Sequence, residues 1–200
     1  MMQYLKKPVA GFLLLFGIIH IILFIMHSEH QVFWHIYTGL MLLTSIGYIY
    51  YERNINSRRL VDSFITGIVV ALAIVILHTL FSIVFNDLHY YNLMKKMIHL
   101  GVYVKWQLVI TLVLSIPLQE LFMRNMLQNY LNENFNRYIA SLIVSLCATS
   151  LFMYVVSLPV LFSIFITQFI LALSYYHTKR LITPITGQIL AIIIFMLIHR

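Results

Sequence analysis

Charged side chains and cysteines are both scarce in this chain, and each shortage excludes some classes of protein. Of the 200 residues, 10% are charged and 62% are hydrophobic, and Asp and Glu together number only six. The single cysteine, Cys147, excludes a disulfide within the chain and argues against a zinc site built on cysteines. Apolar runs use most of the length, so no room remains for a separate soluble domain. The composition therefore favours a polytopic membrane protein.

Seven apolar runs predict an all-α fold, a transmembrane helix bundle of about seven spans, and the mean hydropathy is +0.92. The predicted spans are about Val9–Met26, Val32–Tyr51, Val61–Phe85, Val104–Met123, Tyr138–Ser157, Val160–Tyr176 and Leu181–Ile198. Residues 86–100 mix aromatics with lysines and predict an interfacial segment, with a further span as the alternative. Residues 125–137 predict an amphipathic helix on the membrane surface.

These patterns divide the chain into two parts. Residues 1–103 hold three spans and the interfacial segment, and residues 104–200 hold a core of four spans. With a cytoplasmic N-terminus, nine Lys and Arg residues fall inside and four fall outside, which is the arrangement that basic loops favour. We expect a multi-pass protein of the cell membrane, taken as a bacterial plasma membrane. The charge of +7 comes from these loops, and no nucleic-acid partner is expected.

A carboxylate and a guanidinium lie one helical turn apart near the end of the fourth predicted span. The spacing of Glu120 and Arg124 lets the two side chains meet on one helix face. Ionisable groups at membrane depth are costly unless they are paired, so such groups mark functional sites, although a purely structural ion pair is the alternative. Pro117 cannot donate to the carbonyl of Val113 and predicts a kink, which in membrane proteins often lines a cavity.

The stretch from Gln119 to Arg124, Gln-Glu-Leu-Phe-Met-Arg, resembles the Glu-Glu-x-x-x-Arg motif of the CAAX-protease and bacteriocin-processing family (CPBP, also called Abi). Its members are multi-span intramembrane endopeptidases. Later landmarks follow in the family's order, with Tyr175-Tyr176-His177-Thr178 in place of Tyr-Tyr-x-Thr and Pro184 near the start of the last span. The likeness covers about Lys105–Ile198.

Four positions depart from the family pattern. There, the first glutamate of the motif is thought to activate water, helped by a histidine on each of two later helices and by an asparagine. The corresponding residues here are, in order, Gln119, Ser157 (Val156 with a shift of one residue), Gln188 and Ile192. An amide cannot accept a proton from water, so only Glu120 and Arg124 survive of the implied machinery. The pattern resembles the family's non-proteolytic branch, which includes a staphylococcal membrane protein linked to lysostaphin resistance and surface-protein display.

Polar residues on the last helices suggest a binding site. Gln119, Gln168 and Gln188 are expected either to converge with Glu120 on a polar pocket that grips a peptide or a lipid headgroup, or to form interhelical hydrogen bonds. Four histidines near the first outer link are either a Zn or Cu site or hydrated interfacial residues; they are His20, His27, His30 and His35. His78, deeper in the third span, is read as hydrogen-bonded to a neighbouring helix.

Three functions compete. The favoured one is a catalytically silent family member that binds the lipid bilayer and another membrane protein or transmembrane segment. The runner-up is an active endopeptidase, of the CAAX type or for peptide or bacteriocin processing, that relies on Glu120. A small transporter is third, and the lack of paired half-helices argues against it. No metal or cofactor is predicted, although the resemblance leaves a divalent metal open.

Overall fold

Every regular element in the described part of the chain is helical, which confirms the all-α prediction. The computed structural model describes residues 7–27, 33–51, 60–102 and 105–198, and side chains within 10–27, 33–44, 60–102 and 106–198. In these ranges eight helices follow one another: α1 (Lys7–Met26), α2 (Phe33–Tyr51), α3 (Leu60–Val84), α4 (Tyr90–His99), α5 (105–134), α6 (Arg137–Ser150), α7 (Leu158–Thr178) and α8 (Ile182–Ile198).

Three described helices are long and apolar enough to cross a membrane: Leu60–Val84, Trp106–Asn134 and Leu158–Thr178. Shorter apolar helices lie at Ala10–Met26, Arg137–Ser150 and Ile182–Ile198. The count of seven spans stays a prediction. Helix α4 has ten residues, which corresponds to about 15 Å, half of the hydrocarbon thickness, and this length fits an interfacial segment better than a span.

Helix α5 is longer than the sequence predicted. It continues without a break past Met123, so the separate surface helix expected at 125–137 is wrong up to residue 134. Its apolar residues face the protein instead of the membrane surface, because Met126, Leu127 and Leu131 are buried in the core shared with α1, α2 and α6. The helix ends at Phe135, which is extended, and the Asn136 side chain then accepts a hydrogen bond from the Tyr138 N–H to cap α6.

The backbone of α5 is π-helical in two places, Thr111–Ser115 and Leu121–Gln128. The first stretch lies directly before Pro117, where the missing N–H was expected to disturb the helix. A π-helical turn rotates the following residues around the axis relative to a regular helix and is frequent at functional sites. Glu120 lies in the regular turn between the two stretches, and Arg124 lies within the second stretch.

The predicted fifth span ends early. Helix α6 stops at Ser150, and the chain passes through turns from Leu151 to Val156 before α7 begins at Leu158. Pro159 then occupies the first turn of α7, where its missing N–H costs no hydrogen bond. The connection between these helices is therefore longer than the tight turn that the apolar pattern suggested.

Two apolar cores hold the bundle together. The larger one joins α1, α2, the second half of α5 and α6, and is centred on residues such as Phe12, Tyr37 and Phe122. The smaller one joins α3, α7 and α8 around Val70, Ile74, Val75, Leu171 and Ala191. Helices α3 and α8 make the most extensive helix contact of the described residues.

Glycines allow α3 and α8 to pack this closely. A Cβ added at Gly67 would lie 2.1 Å from the Thr186 Oγ1 and 3.2 Å from the Thr183 carbonyl oxygen. A Cβ at Gly187 would lie 2.9 Å from a methyl carbon of Val70. Small residues at a crossing are a common device in membrane bundles, since lipid provides little hydrophobic drive for helix association.

We predict that Gly67→Ala lowers the free energy of unfolding by about 1–3 kcal/mol, because the new methyl group forces the α3–α8 crossing apart. Thermal unfolding in detergent, followed by size-exclusion chromatography, measures the loss. Gly39→Ala is the matched control, since a Cβ at Gly39 meets nothing within 4 Å. Equal melting temperatures for the two variants would show that the crossing is loose.

Candidate functional site

A cavity of about 320 Å³ lies among α2, α3, α4, α5, α7 and α8. Most of its described lining is aliphatic or aromatic, including Ile74, Leu112, Ile164, Phe195 and Met196. Lys96, from α4, is the one Lys, Arg, Asp or Glu side chain among the described lining residues. The cavity is therefore an apolar site with a few polar groups, which is the usual composition of a ligand site.

Three glutamines reach this cavity from three different helices. Gln119 comes from α5, Gln168 from α7 and Gln188 from α8, and Ile192 lines the wall one turn after Gln188. The sequence suggested the three glutamines as one pocket, with interhelical hydrogen bonds as the alternative, and placed Ile192 at the position of the family asparagine; all four line the same cavity. Glu120 was grouped with them, but it is not among the lining residues.

Glu120 and Arg124 form a buried ion pair that is not part of the described lining of the cavity. Both side chains have 0% exposure, and the Arg124 Nε donates to the Glu120 Oε2 at 2.8 Å. The Arg124 Nη2 donates at 2.6 Å to the Gln168 Oε1 and at 3.3 Å to the Gln168 carbonyl oxygen. Because a buried charge is stable only when it is paired and hydrogen-bonded, this cluster ties α5 to α7.

Helix α5 carries two polar rows. One row, Glu120–Arg124–Gln128, faces α7, where the Gln128 Nε2 donates to the Ala172 carbonyl at 2.7 Å. The other row, Thr111–Ser115–Gln119, faces α2: the Trp34 indole donates to Thr111 at 2.5 Å, Thr38 and Ser115 share a hydrogen bond of 2.9 Å, and the Tyr37 hydroxyl donates to the Gln119 Oε1 at 2.7 Å. Both rows use i, i+4 spacing, so the neighbouring positions 119 and 120 serve different partners.

Tyr37 and its neighbours on α2 were missed by the sequence interpretation. A signal was present, since Trp34, Tyr37 and Thr38 stand at helical spacing in an otherwise apolar run and match the polar row of α5. The sequence did not reveal that α2 packs against α5. Tyr37 and Gln119, which this packing brings together, are 82 positions apart in the chain.

The two candidate positions for the second family histidine, Val156 and Ser157, differ in whether they line the cavity. Val156 lines the cavity, whereas Ser157 does not. The Ser157 hydroxyl instead donates a short hydrogen bond to the Asp87 Oδ2 and accepts from the Lys96 Nζ at 3.0 Å. The Ser157 hydrogen bond, with the hydrogen bond and charge of Lys96, lowers the pKa of the Asp87 carboxyl. This cluster fixes α4 beside the start of α7.

The histidines that suggested a metal site separate into different contacts. His20 hydrogen-bonds to the Tyr154 hydroxyl at 2.8 Å and to the Ser150 hydroxyl at 3.1 Å, and His27 bonds to the Phe24 carbonyl of its own helix. His30 lies outside the described residues. Within the described ranges, no three His, Cys, Asp or Glu side chains lie close enough together to hold a metal ion.

The cavity itself does not suit the divalent metal that the resemblance left open. His78 is the one His, Cys, Asp or Glu side chain in its described lining, and its ring packs edge-on against Phe195 with the centroids 4.5 Å apart. The other polar lining groups include neutral glutamine amides and hydroxyls, which are poor substitutes for carboxylate and imidazole ligands. The described lining therefore offers no suitable set of ligands for a divalent metal.

A family model matches the C-terminal half of the chain. It is the model described as Type II CAAX prenyl endopeptidase Rce1-like, and it covers residues 101–194. Comparisons with curated proteins and with solved structures each gave no match. The resemblance based on residues 119–124 is thus confirmed, and the apolar helices agree with a membrane protein of the CAAX-protease type. The likeness to the staphylococcal branch stays a prediction.

We predict that Glu120 and Arg124 behave as one unit. Glu120→Ala and Arg124→Ala should each lower the free energy of unfolding by about 3–5 kcal/mol, because each leaves a buried charge unpaired. The double variant should recover part of the loss, as judged by thermal unfolding and by the yield of folded protein. Glu133→Ala, at an exposed carboxylate on the same helix, is the control and should change stability by no more than about 0.5 kcal/mol. Strictly additive losses would show that the two charges do not interact.

Proposed function

We propose that this CAAX-protease-like membrane protein does not hydrolyse peptide bonds and instead binds a transmembrane segment of another membrane protein. The observation that carries the proposal is the position of the carboxylates: among the described residues, none of the side chains that line the cavity is Asp or Glu. A general base must lie within hydrogen-bond reach of the water that it activates. The wall offers Gln119 where the resemblance places the catalytic glutamate.

Glu120 is a poor replacement for that glutamate. Its carboxylate is sealed at 0% exposure and is engaged by the Arg124 Nε at 2.8 Å. To reach the cavity it would have to leave its partner buried and unpaired, which is costly in a site without water. The geometry thus favours a structural role for the pair over the endopeptidase that relies on Glu120.

The chain also lacks side chains that the family would use to stabilise the oxyanion formed during peptide hydrolysis. The positions of the two family histidines and the asparagine hold Val156 or Ser157, Gln188 and Ile192, and the aliphatic members of this set supply no donor. Loss of one donor to an oxyanion costs about 10²–10³ in rate. The simultaneous replacement of these family residues favours a protein that keeps the cavity but does not hydrolyse peptides.

The remaining cavity suits an apolar guest from the bilayer. Its volume of about 320 Å³ and its aliphatic and aromatic wall match a few side chains of a transmembrane segment. We propose, in line with the basic loops, that the chain crosses the cell membrane seven times with a cytoplasmic N-terminus. We propose a regulatory role toward that membrane protein, in line with binding without cleavage.

Purified protein in nanodiscs should leave libraries of membrane peptides uncut, with or without added zinc. Mass spectrometry of the peptides after long incubation makes the measurement. Glu120→Gln serves as the test variant, and Gln107→Met, on the same helix but outside the described lining of the cavity, serves as its control. Cleavage by the wild type that Glu120→Gln abolishes and Gln107→Met retains would contradict the proposal and restore the endopeptidase.

Filling the cavity should release the partner. Ile192→Trp places a large ring in the cavity, whereas Ile193→Trp places the same ring at an exposed position of α8. After extraction from native membranes and affinity capture, we expect a co-purifying membrane protein with the wild type and with Ile193→Trp, reduced at least tenfold with Ile192→Trp. Equal recovery from all three folded proteins would show that partners do not use the cavity.

A further inference from the structure

Two buried glutamine atoms among the described lining residues of the cavity have no hydrogen-bond partner. They are the Gln119 Nε2, a donor, and the Gln188 Oε1, an acceptor. The Gln119 side chain is 3% exposed and cannot turn to water without leaving its helix interface. Buried polar groups nearly always have a hydrogen-bond partner. An unpartnered donor and an unpartnered acceptor at one cavity therefore point to a ligand that supplies the complementary acceptor and donor.

The neighbouring contacts fix which atoms are left over. The Tyr37 hydroxyl already donates to the Gln119 Oε1 at 2.7 Å, so the amide nitrogen of Gln119 is the part that is free. The Gln168 Oε1 is engaged elsewhere, since it accepts from Arg124 at 2.6 Å. The stretch Ile116–Glu120 of α5 packs against α8, which brings the two orphan groups to adjoining walls. The two glutamines therefore carry one unpartnered donor, on Gln119, and one unpartnered acceptor, on Gln188.

We propose that these glutamines clamp a main-chain peptide group at a locally unwound point of the bound transmembrane segment; this rests on the proposed function. A peptide group carries one carbonyl, which would accept from the Gln119 Nε2, and one N–H, which would donate to the Gln188 Oε1. In a regular helix both groups are used internally, so the clamp has nothing to bind. Where a segment is unwound in lipid, its backbone groups need outside partners, and the glutamines provide them.

The alternative occupants fit less well. An ester-linked glycerolipid brings carbonyl acceptors for Gln119 but no N–H for Gln188. Lys96 offers little to an anionic headgroup, because it is held by Asp87 at 3.0 Å and by Ser157. An apolar wall with unpartnered neutral amide groups on Gln119 and Gln188 matches an uncharged amide flanked by aliphatic side chains.

The test uses two synthetic transmembrane peptides, one with an uninterrupted Leu/Ala helix and one with a central Gly-Pro-Gly break, labelled for fluorescence and titrated onto the full chain in nanodiscs. We expect the broken peptide to bind about tenfold more tightly. Gln188→Met should remove this preference, and the double variant Tyr37→Phe/Gln119→Met, which leaves no tyrosine hydroxyl unpaired, should do the same. Gln107→Met is the control and should retain it.

An ester in place of the amide that follows the break removes one N–H and keeps the carbonyl. Its loss of affinity should not add to that of Gln188→Met, since both remove the same hydrogen bond. Additive losses, equal binding of the two peptides, or binding of neither would overturn the clamp. Displacement of the peptide by an amide-linked lipid through Gln188 would also overturn it. Equal binding of uncut peptides leaves the proposed function standing, whereas cleavage of either peptide defeats the proposed function itself.

Discussion

The ion pair between Glu120 and Arg124 is the interaction on which the rest of the structure depends. It is completely buried and is extended by the hydrogen bond from Arg124 to Gln168, which links α5 to α7. Successive residues of a helix point about 100° apart, so a Glu120 that faces α7 directs Gln119 toward α2 and the cavity. Turning α5 to expose the carboxylate would unpair a charge in a dry site.

This constraint connects the structure with its chemistry. The side of α5 that carries the remaining charges is used for packing, and the side that faces the cavity carries amides and hydroxyls. A site of this kind can satisfy and orient polar groups, but it holds no carboxylate within the described lining that could take a proton from water. The described part of α5 thus brings amides and hydroxyls, and no carboxylate, to the cavity lining, and π-helical stretches lie before and after Glu120 on the same helix.

Much of the fold was predictable because apolar runs determine where helices form. The positions of α7 and α8 agree with the predicted spans to within two residues, whereas the end of α5 did not. Met126, Leu127 and Leu131 have the spacing of an amphipathic helix, and spacing alone does not say whether the apolar face meets lipid or protein. The convergence of the three glutamines was one of two alternatives that the sequence left open, and the expected place of Glu120 beside them was wrong, because its side chain is not part of the described lining. The contacts of Tyr37, His20 and Gln168 depend on long-range packing, which a single sequence does not encode in readable form.

Labelling with a membrane-permeant carbodiimide tests the central claim, that Glu120 is a sealed structural charge, most directly. Such reagents modify accessible protonated carboxyl groups within membranes, and mass spectrometry locates the adduct. The account predicts no label on Glu120 of the folded wild type, and label on residue 119 of Gln119→Glu, whose new carboxyl group faces the cavity. Rapid modification of Glu120 in the wild type, at a rate equal to that of the new carboxyl group, would contradict the account. Glu120 would then again be a candidate catalytic base.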